Sequence, residues 1–242
     1  TGCDLNTSLE DMERLTELTP HVLAAVGSPV DASAATAHGT LGAVEAVLEA
    51  ELKDAKPGRA LVHGCGAVGG TVARTLVEHG WTVFTVDLSR ERAGFPGATP
   101  LPQGCPWWEL KLDLLLPCSI SGLINAEMAS ALRVTSVVPA ANAPFQSPQL
   151  ADALRQRGIR VLPDPLVNAG AVIADSIERF SPDAWKDAGE KDVYAFVREE
   201  VRRRATDYLN QRDQGLSVGA ALNEVAAAPA TDPIGLSFGD AA

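Results

Sequence analysis

Gly64, Gly66 and Gly69 stand at G-x-G-x-x-G spacing within RALVHGCGAVGGTVARTLVEHGWTVFTVD, residues 59–87, and an acid, Asp87, closes the same stretch. Glycines so placed suit an anion held by main-chain amides. Gly64 permits a tight turn, Gly66 has no Cβ to block the backbone's approach to a pyrophosphate, and Gly69 lets the following helix pack close to its strand. Unpaired N–H groups at the helix start, near Ala67 and Val68, would face the phosphate charge. Asp87 is placed to accept both ribose hydroxyls of an adenosine. Its charge favours NAD over NADP, since a 2′-phosphate beside an unpaired carboxylate is repelled; Arg90 and Arg92 weaken that preference without reversing it.

The positioning elements follow from pattern. The apolar run Ala60, Leu61 and Val62 predicts a strand leading into the glycines, a helix runs to the stop at Gly80, and a second apolar run over 81–86 predicts the strand that ends on Asp87. Upstream, Ser8 or Thr7 can cap a helix over LEDMERLTEL, with Glu10 and Asp11 in its first turn. Locally, Asp4 in TGCDLNT reads as a turn or cap residue. A helix over 40–53, starting from the small residues of ATAHG, suits a place where a ligand or another domain comes close, and His38 within it reads as a surface or helix-start histidine.

Downstream, residues 94–108 are rich in glycine and proline and read as a loop or a degraded strand–helix unit. Strands are expected over 112–116, ending at Pro117 and Cys118, over 134–138, ending near Asn142, and in IRVLP. A turn at Asn168, Ala169 and Gly170 opens a helix, a long helix is expected over 192–210, and another over 218–227. The alternation predicts an α/β fold, a Rossmann-type, mostly parallel sheet with helices on both faces. Ligands are expected at the carboxyl ends of its strands.

The 242 residues carry a formal net charge of −11, and their basic residues form no stripe, which argues against nucleic acid as a partner. Arg202, Arg203 and Arg204, with acids before them, read as a solvated helix face. Cys3, Cys65, Cys105 and Cys118 lack metal-ligand spacing and read as reduced thiols of a cytoplasmic protein, with no metal expected. No apolar run is long enough for a membrane helix, and no signal-peptide pattern is seen.

Taken in order, these motifs resemble the carboxyl-terminal part of the glutamate, leucine, phenylalanine and valine dehydrogenase superfamily, nearest the leucine/valine/phenylalanine branch. TGCDLNTSLEDM resembles the stretch that carries the catalytic aspartate, SAATAHGTLGAVEAVL the T-A-x-G-V helix start, and GCGAVGG the nucleotide loop. LDLLLPCSISGLIN resembles the D-x-x-x-P-C-A-x-G-x-x-x-N element, and LPDPLVNAGAVIADSIE the P-D-x-x-x-N-A-G-G-V element. The resemblance implies NAD-dependent, reversible oxidative deamination of an L-α-amino acid to a 2-oxo acid. It implies that Asp4 shuttles protons, that Thr36 lies near the nicotinamide, that Asp87 binds ribose, and that Pro117, Cys118 and Asn142 line the nucleotide side of a cleft. Asn168, Ala169 and Gly170 would face the substrate.

The sequence also departs from that pattern. The family's two active-site lysines lie before the Asp4 motif, outside this sequence, Ala143 stands where the branch has a second asparagine, Pro139 replaces a glycine or acid, and Ala171 replaces the last glycine of N-A-G-G. Thr1 already falls inside a motif. The expectation is a cofactor-holding part of a split or truncated enzyme, completed by a lysine-bearing amino-terminal domain on a second polypeptide or a missing segment, in an oligomer. The rival is a noncatalytic nucleotide-binding scaffold. The expected organisation is the end of the catalytic domain and a bridging helix over 1–54, an NAD-binding domain over 55–180, helices packing back over 181–227, and a flexible tail over 228–242.

Overall fold

The computed structural model describes residues 7–23, 26–51 and 57–228. Two helices come first: α1 (Leu9–Thr16) and α2 (Ala32–Glu51). A strand–helix series then runs β1 (Arg59–His63), α3 (Ala67–Glu78), β2 (Thr82–Val86), α4 (Arg90–Ala93), β3 (Ala98–Pro100), a 3-10 turn (Trp107–Glu109) and β4 (Lys111–Pro117). It continues with α5 (Ala126–Ala131), β5 (Arg133–Val137), α6 (Pro148–Gln156), β6 (Arg160–Val161), α7 (Asp164–Val167) and α8 (Gly170–Phe180). Helices α9 (Pro182–Asp187), α10 (Glu190–Asp213) and α11 (Val218–Ala227) close the described chain.

Among the described residues the six strands form one parallel sheet in the order β3-β2-β1-β4-β5-β6. The chain reverses its direction of growth between β1 and β4, so the connections leaving these neighbouring strands part to opposite faces and open a crevice at their carboxyl ends. Alternation divides the strand residues between two cores. Ala60, Val62, Leu114 and Leu116 pack with Leu41, Val44 and Val47 of α2, Val72 and Leu76 of α3, and Val201 of α10. Leu61, Leu115 and Val137 face the other way, against Trp107, Leu132 and Leu154.

Helix α2 is the hub of the first layer. At Gly42 a Cβ would lie 2.1 Å from the Arg198 carbonyl oxygen of α10, and at Gly170 it would lie 2.2 Å from the Ala35 carbonyl oxygen. The small residues that suggested an approaching ligand or domain thus admit α8 and α10 of the same chain. The crossing is fastened by Arg198 Nε, 3.1 Å from both Glu45 carboxylate oxygens, and by Arg202, 2.9 Å from Glu49. At its entrance Tyr194 Oη accepts the Asp31 N–H at 2.8 Å, and the Tyr194 ring stacks on His38, 4.9 Å between centroids. Burial, with the Arg198 charge nearby, lowers the His38 pKa and favours a neutral packing imidazole.

The arginine run is not a solvated face. Arg202 bridges Glu199 and Glu49, while Arg203 and Arg204 both reach Glu200, whose side chain is 3% exposed. The 94–108 segment holds β3 and the start of the 3-10 turn. A three-residue strand ending in proline gives too short a run to stand out from a loop by pattern. Ser8, rather than Thr7, caps α1, completing a capping box with Asp11.

Candidate functional site

The first cluster is built on the turn after β1. Gly64 has φ +93°, and its N–H donates to the Val86 carbonyl at 2.7 Å, which joins the ends of β1 and β2. A Cβ there would lie 2.7 Å from Ser119 Cα, and one at Gly69 would lie 1.9 Å from the Gly64 carbonyl oxygen. The protein's own packing therefore demands these two glycines. Gly66 differs: nothing lies within 4 Å of where its Cβ would be, and it precedes α3 without capping the helix through a side chain. Its open side lies at the start of α3, where the first N–H groups, those of Ala67 and Val68, lack a side-chain cap, the arrangement that attracts an anion.

Asp87 follows β2, and its side chain is only 7% exposed. Its carboxylate accepts the N–H of Cys65 and of Ser89, each at 2.8 Å, and pairs with Arg92 at 3.1 Å. Burial opposes the charge, but the Ser89 and Cys65 N–H groups and the Arg92 guanidinium outweigh it and hold the carboxyl below its ordinary range. Asp87 thus fixes the glycine turn, and with Arg92 seated on it the carboxylate is not the unpaired acid that the sequence suggested, which weakens the repulsion expected against a 2′-phosphate.

That space is a cavity of about 730 Å³, lined by His63, Gly64, Gly66, Asp87, Cys118 and Trp108, among others. Its far wall comes from residues 102–108. Gln103 Nε2 donates to the Leu88 carbonyl at 3.0 Å and pins that wall over the end of β2, and Trp107 meets Trp108 edge-on at 5.5 Å. Leu88 and Ile120, exposed at 88% and 65%, flank the opening. Sequence reasoning missed His63, Gln103, Trp107, Trp108 and Ser119. The adjacent tryptophans in a glycine- and proline-rich stretch were the one available signal, since an apolar pair that large needs something to pack on.

A second cluster lies at the ends of β5 and α7. Asn168 Nδ2 donates to Asn142 Oδ1 at 2.7 Å and to the Ala140 carbonyl at 3.2 Å, while the Ala143 N–H donates to Asp164 at 2.9 Å. Pro117 is joined to this loop, since its carbonyl accepts the Ala141 N–H at 2.9 Å. Ala169 and Gly170 begin α8, where Gly170 lies against Ala35 and Thr36 of α2. The Thr36 hydroxyl donates to the Ala32 carbonyl at 2.9 Å. Thr36 and the Asn168–Gly170 turn are therefore neighbours, whereas neither lines the cavity beside Asp87. Asp4 lies outside the described residues.

A further apolar cavity of about 470 Å³, between α8, α10 and α11, is bordered by Ala169, Ile173, Val201 and Leu222 and shares no lining residue with the first. No group of His, Cys, Asp and Glu among the described residues is arranged to hold a metal ion. No described helix is long and apolar enough to cross a membrane.

Comparison with known proteins gives this architecture a lineage. The chain is 25% identical over 224 residues to phenylalanine dehydrogenase of Lysinibacillus sphaericus, covering 87% of this chain and 57% of that protein. It is 29% identical over 196 residues to phenylalanine dehydrogenase of Caldalkalibacillus thermarum, covering 76% and 53%. It thus spans little more than half the length of these curated relatives. The fold matches the crystal structure of L-tryptophan dehydrogenase from Nostoc punctiforme with a TM-score of 0.75 at 23% identity, over 93% of this chain and 65% of that one. Residues 88–228 match the model of one family, beginning just past Asp87 and including both asparagines, and with that match the chain belongs to the Glutamate/Leucine/Phenylalanine/Valine dehydrogenase family.

Proposed function

We propose that this chain supplies the cofactor side of an NAD-dependent amino-acid dehydrogenase that oxidatively deaminates an L-α-amino acid to a 2-oxo acid. The observation that carries the reading is the cavity at the β1/β4 switch, where the open face of Gly66, the start of α3 and the Asp87 carboxylate converge. These residues fit a dinucleotide. The uncapped Ala67 and Val68 amides suit the pyrophosphate, Asp87 the ribose hydroxyls, and the apolar lining of Leu88, Trp108 and Ile120 a flat base.

Bound NAD would supply a two-electron acceptor for the hydrogen on the substrate's α-carbon. The chain's own residues would orient the reactants. Asn142 and Asn168, locked together through one amide–amide hydrogen bond, present fixed polar groups at the ends of β5 and α7. Cys118 lines the nucleotide side, the buried Pro117 before it would support that wall, and Thr36 with the Asn168–Gly170 turn would border the substrate side. Asp4 would move protons, and a lysine-bearing segment, on the same or a second polypeptide, would bind the substrate carboxylate and activate water. The active unit would be an oligomer.

Isothermal titration calorimetry of the full chain with NAD and NADP tests the first half of this reading. NAD binding that is at least tenfold tighter than NADP binding supports it, and no binding of either would sink it. Amino-acid-dependent NADH formation by the complete assembly tests the second half. NAD binding without turnover on any L-α-amino acid would favour the rival, a noncatalytic nucleotide-holding subunit of the same family.

A further inference from the structure

His63 is the last residue of β1 and the residue immediately before Gly64. On its strand it faces the same layer as Leu61, and its ring lies 5.2 Å from that of Trp107, tilted by 58°. Its Nδ1 is 2.8 Å from the Ser119 hydroxyl at the end of β4, and the residue lines the cavity shared by Gly64, Gly66 and Asp87. No hydrogen bond to Nε2 is formed among the described residues.

We propose that His63 is a further nucleotide-binding residue, one whose ring takes up a proton as the phosphates of a dinucleotide enter the cavity. The inference rests on the nucleotide reading above and extends it to the proton balance of binding. The Ser119 hydroxyl can donate to a bare Nδ1 or accept from Nδ1–H, so the ring can gain a proton without losing that bond. The gained proton leaves both ring nitrogens as donors, with Nε2–H free to meet an anion.

The surroundings set the direction of the linkage. The ring touches Trp107 and Ser119 and feels the Asp87 charge and its own main-chain carbonyl, and it shares its cavity with Arg92 of α4, Cys118 after β4 and Cys105 on the facing wall. Burial lowers the His63 pKa more than the Asp87 charge raises it, so the resting ring is neutral at pH 7. Arg92 already pairs with Asp87 and blunts its pull. An entering phosphate group adds negative charge, whereas closing the cavity removes little more water from a ring already packed on Trp107. The charge therefore dominates, and bound nucleotide raises the ring's proton affinity.

The test is calorimetry of NAD binding to the full chain at pH 7 in two buffers of different ionisation enthalpy, repeated with adenosine, which lacks phosphate. Proton uptake with NAD and none with adenosine is expected. NAD affinity should weaken as pH rises above 7, by up to about tenfold per pH unit for a single linked proton. His63→Gln can still hydrogen-bond but cannot titrate, and it should abolish the uptake and flatten the pH profile while melting at the wild-type temperature. Unchanged uptake in His63→Gln, or NAD binding to wild type with no uptake or with proton release, overturns the role of His63 alone. Failure of wild type to bind NAD at any pH overturns the nucleotide reading itself, and this inference with it.

Discussion

Ala143 has φ +42°, and among the described residues it is the one non-glycine in the left-handed region. An L-residue with a Cβ is strained there, and asparagine or glycine tolerates the conformation better. The sequence comparison marked this position as the place where the resembling branch carries asparagine, and the backbone supplies the reason. Ala143→Gly or Ala143→Asn should stabilise the fold by roughly 0.5–1 kcal/mol, measured by urea unfolding. Asp87 carries the opposite expectation. Because its carboxylate accepts the Cys65 and Ser89 amides, Asp87→Ala should both weaken NAD binding at least tenfold and cost roughly 1–3 kcal/mol of stability. The carboxyl titrates below its unfolded value, so its contribution is complete above about pH 4 and fades as pH falls through the folded value. The stability advantage of wild type over Asp87→Asn should shrink as pH is lowered below about 4, as unfolding at a series of pH values would show. The cysteines beside it are inert: burial pushes the Cys65 thiol up to about 11 and the Cys118 thiol up to about 12. Neither should react with iodoacetamide at pH 7.5 in native protein, as peptide mass mapping would show. The turn at the glycines and the place of Asp87 after β2 were legible because their spacing sets the course of the backbone. His63 was not, since one histidine after an apolar run has no periodicity to betray what it faces.

Helices with strong periodicity were legible at the element scale. The expected 192–210 and 218–227 helices are present as α10 and α11, and the strand–turn–helix–strand unit appears as β1, α3 and β2. Helix α2 was only half read, because alanine and glycine give no apolar stripe, and its small residues answer to neighbours remote in sequence. The backbone contacts there make a direct prediction. Gly42→Ala places a methyl group 2.1 Å from the Arg198 carbonyl oxygen, a backbone atom that cannot swing aside. The α2–α10 crossing must open, at a cost of roughly 1–3 kcal/mol or more, seen as a lower melting temperature. Gly66→Ala meets no protein atom and should leave that temperature nearly unchanged while weakening NAD binding. The pair of variants separates glycine required by packing from glycine required by a ligand.

At the scale of the whole molecule, the α/β class and the parallel sheet followed from alternating strands and helices, while the partition of its two faces depended on which helices return to which side. Helix α10 returns over α2, across most of the described chain, and shares with it the core beneath Val201 and Leu41. This has a consequence for synthesis. A chain leaving the ribosome completes all six strands by residue 161, yet the side of α2 that receives Arg198 and Val201 stays uncovered until residues 190–213 have emerged. Until then the nascent protein carries a finished sheet beneath an unfinished lid of alanine, leucine and valine, the kind of surface that chaperones hold and aggregates share. Release of the chain at residue 189 should therefore give a product that binds a hydrophobic dye and elutes as large species, whereas release at residue 228 should give a compact one.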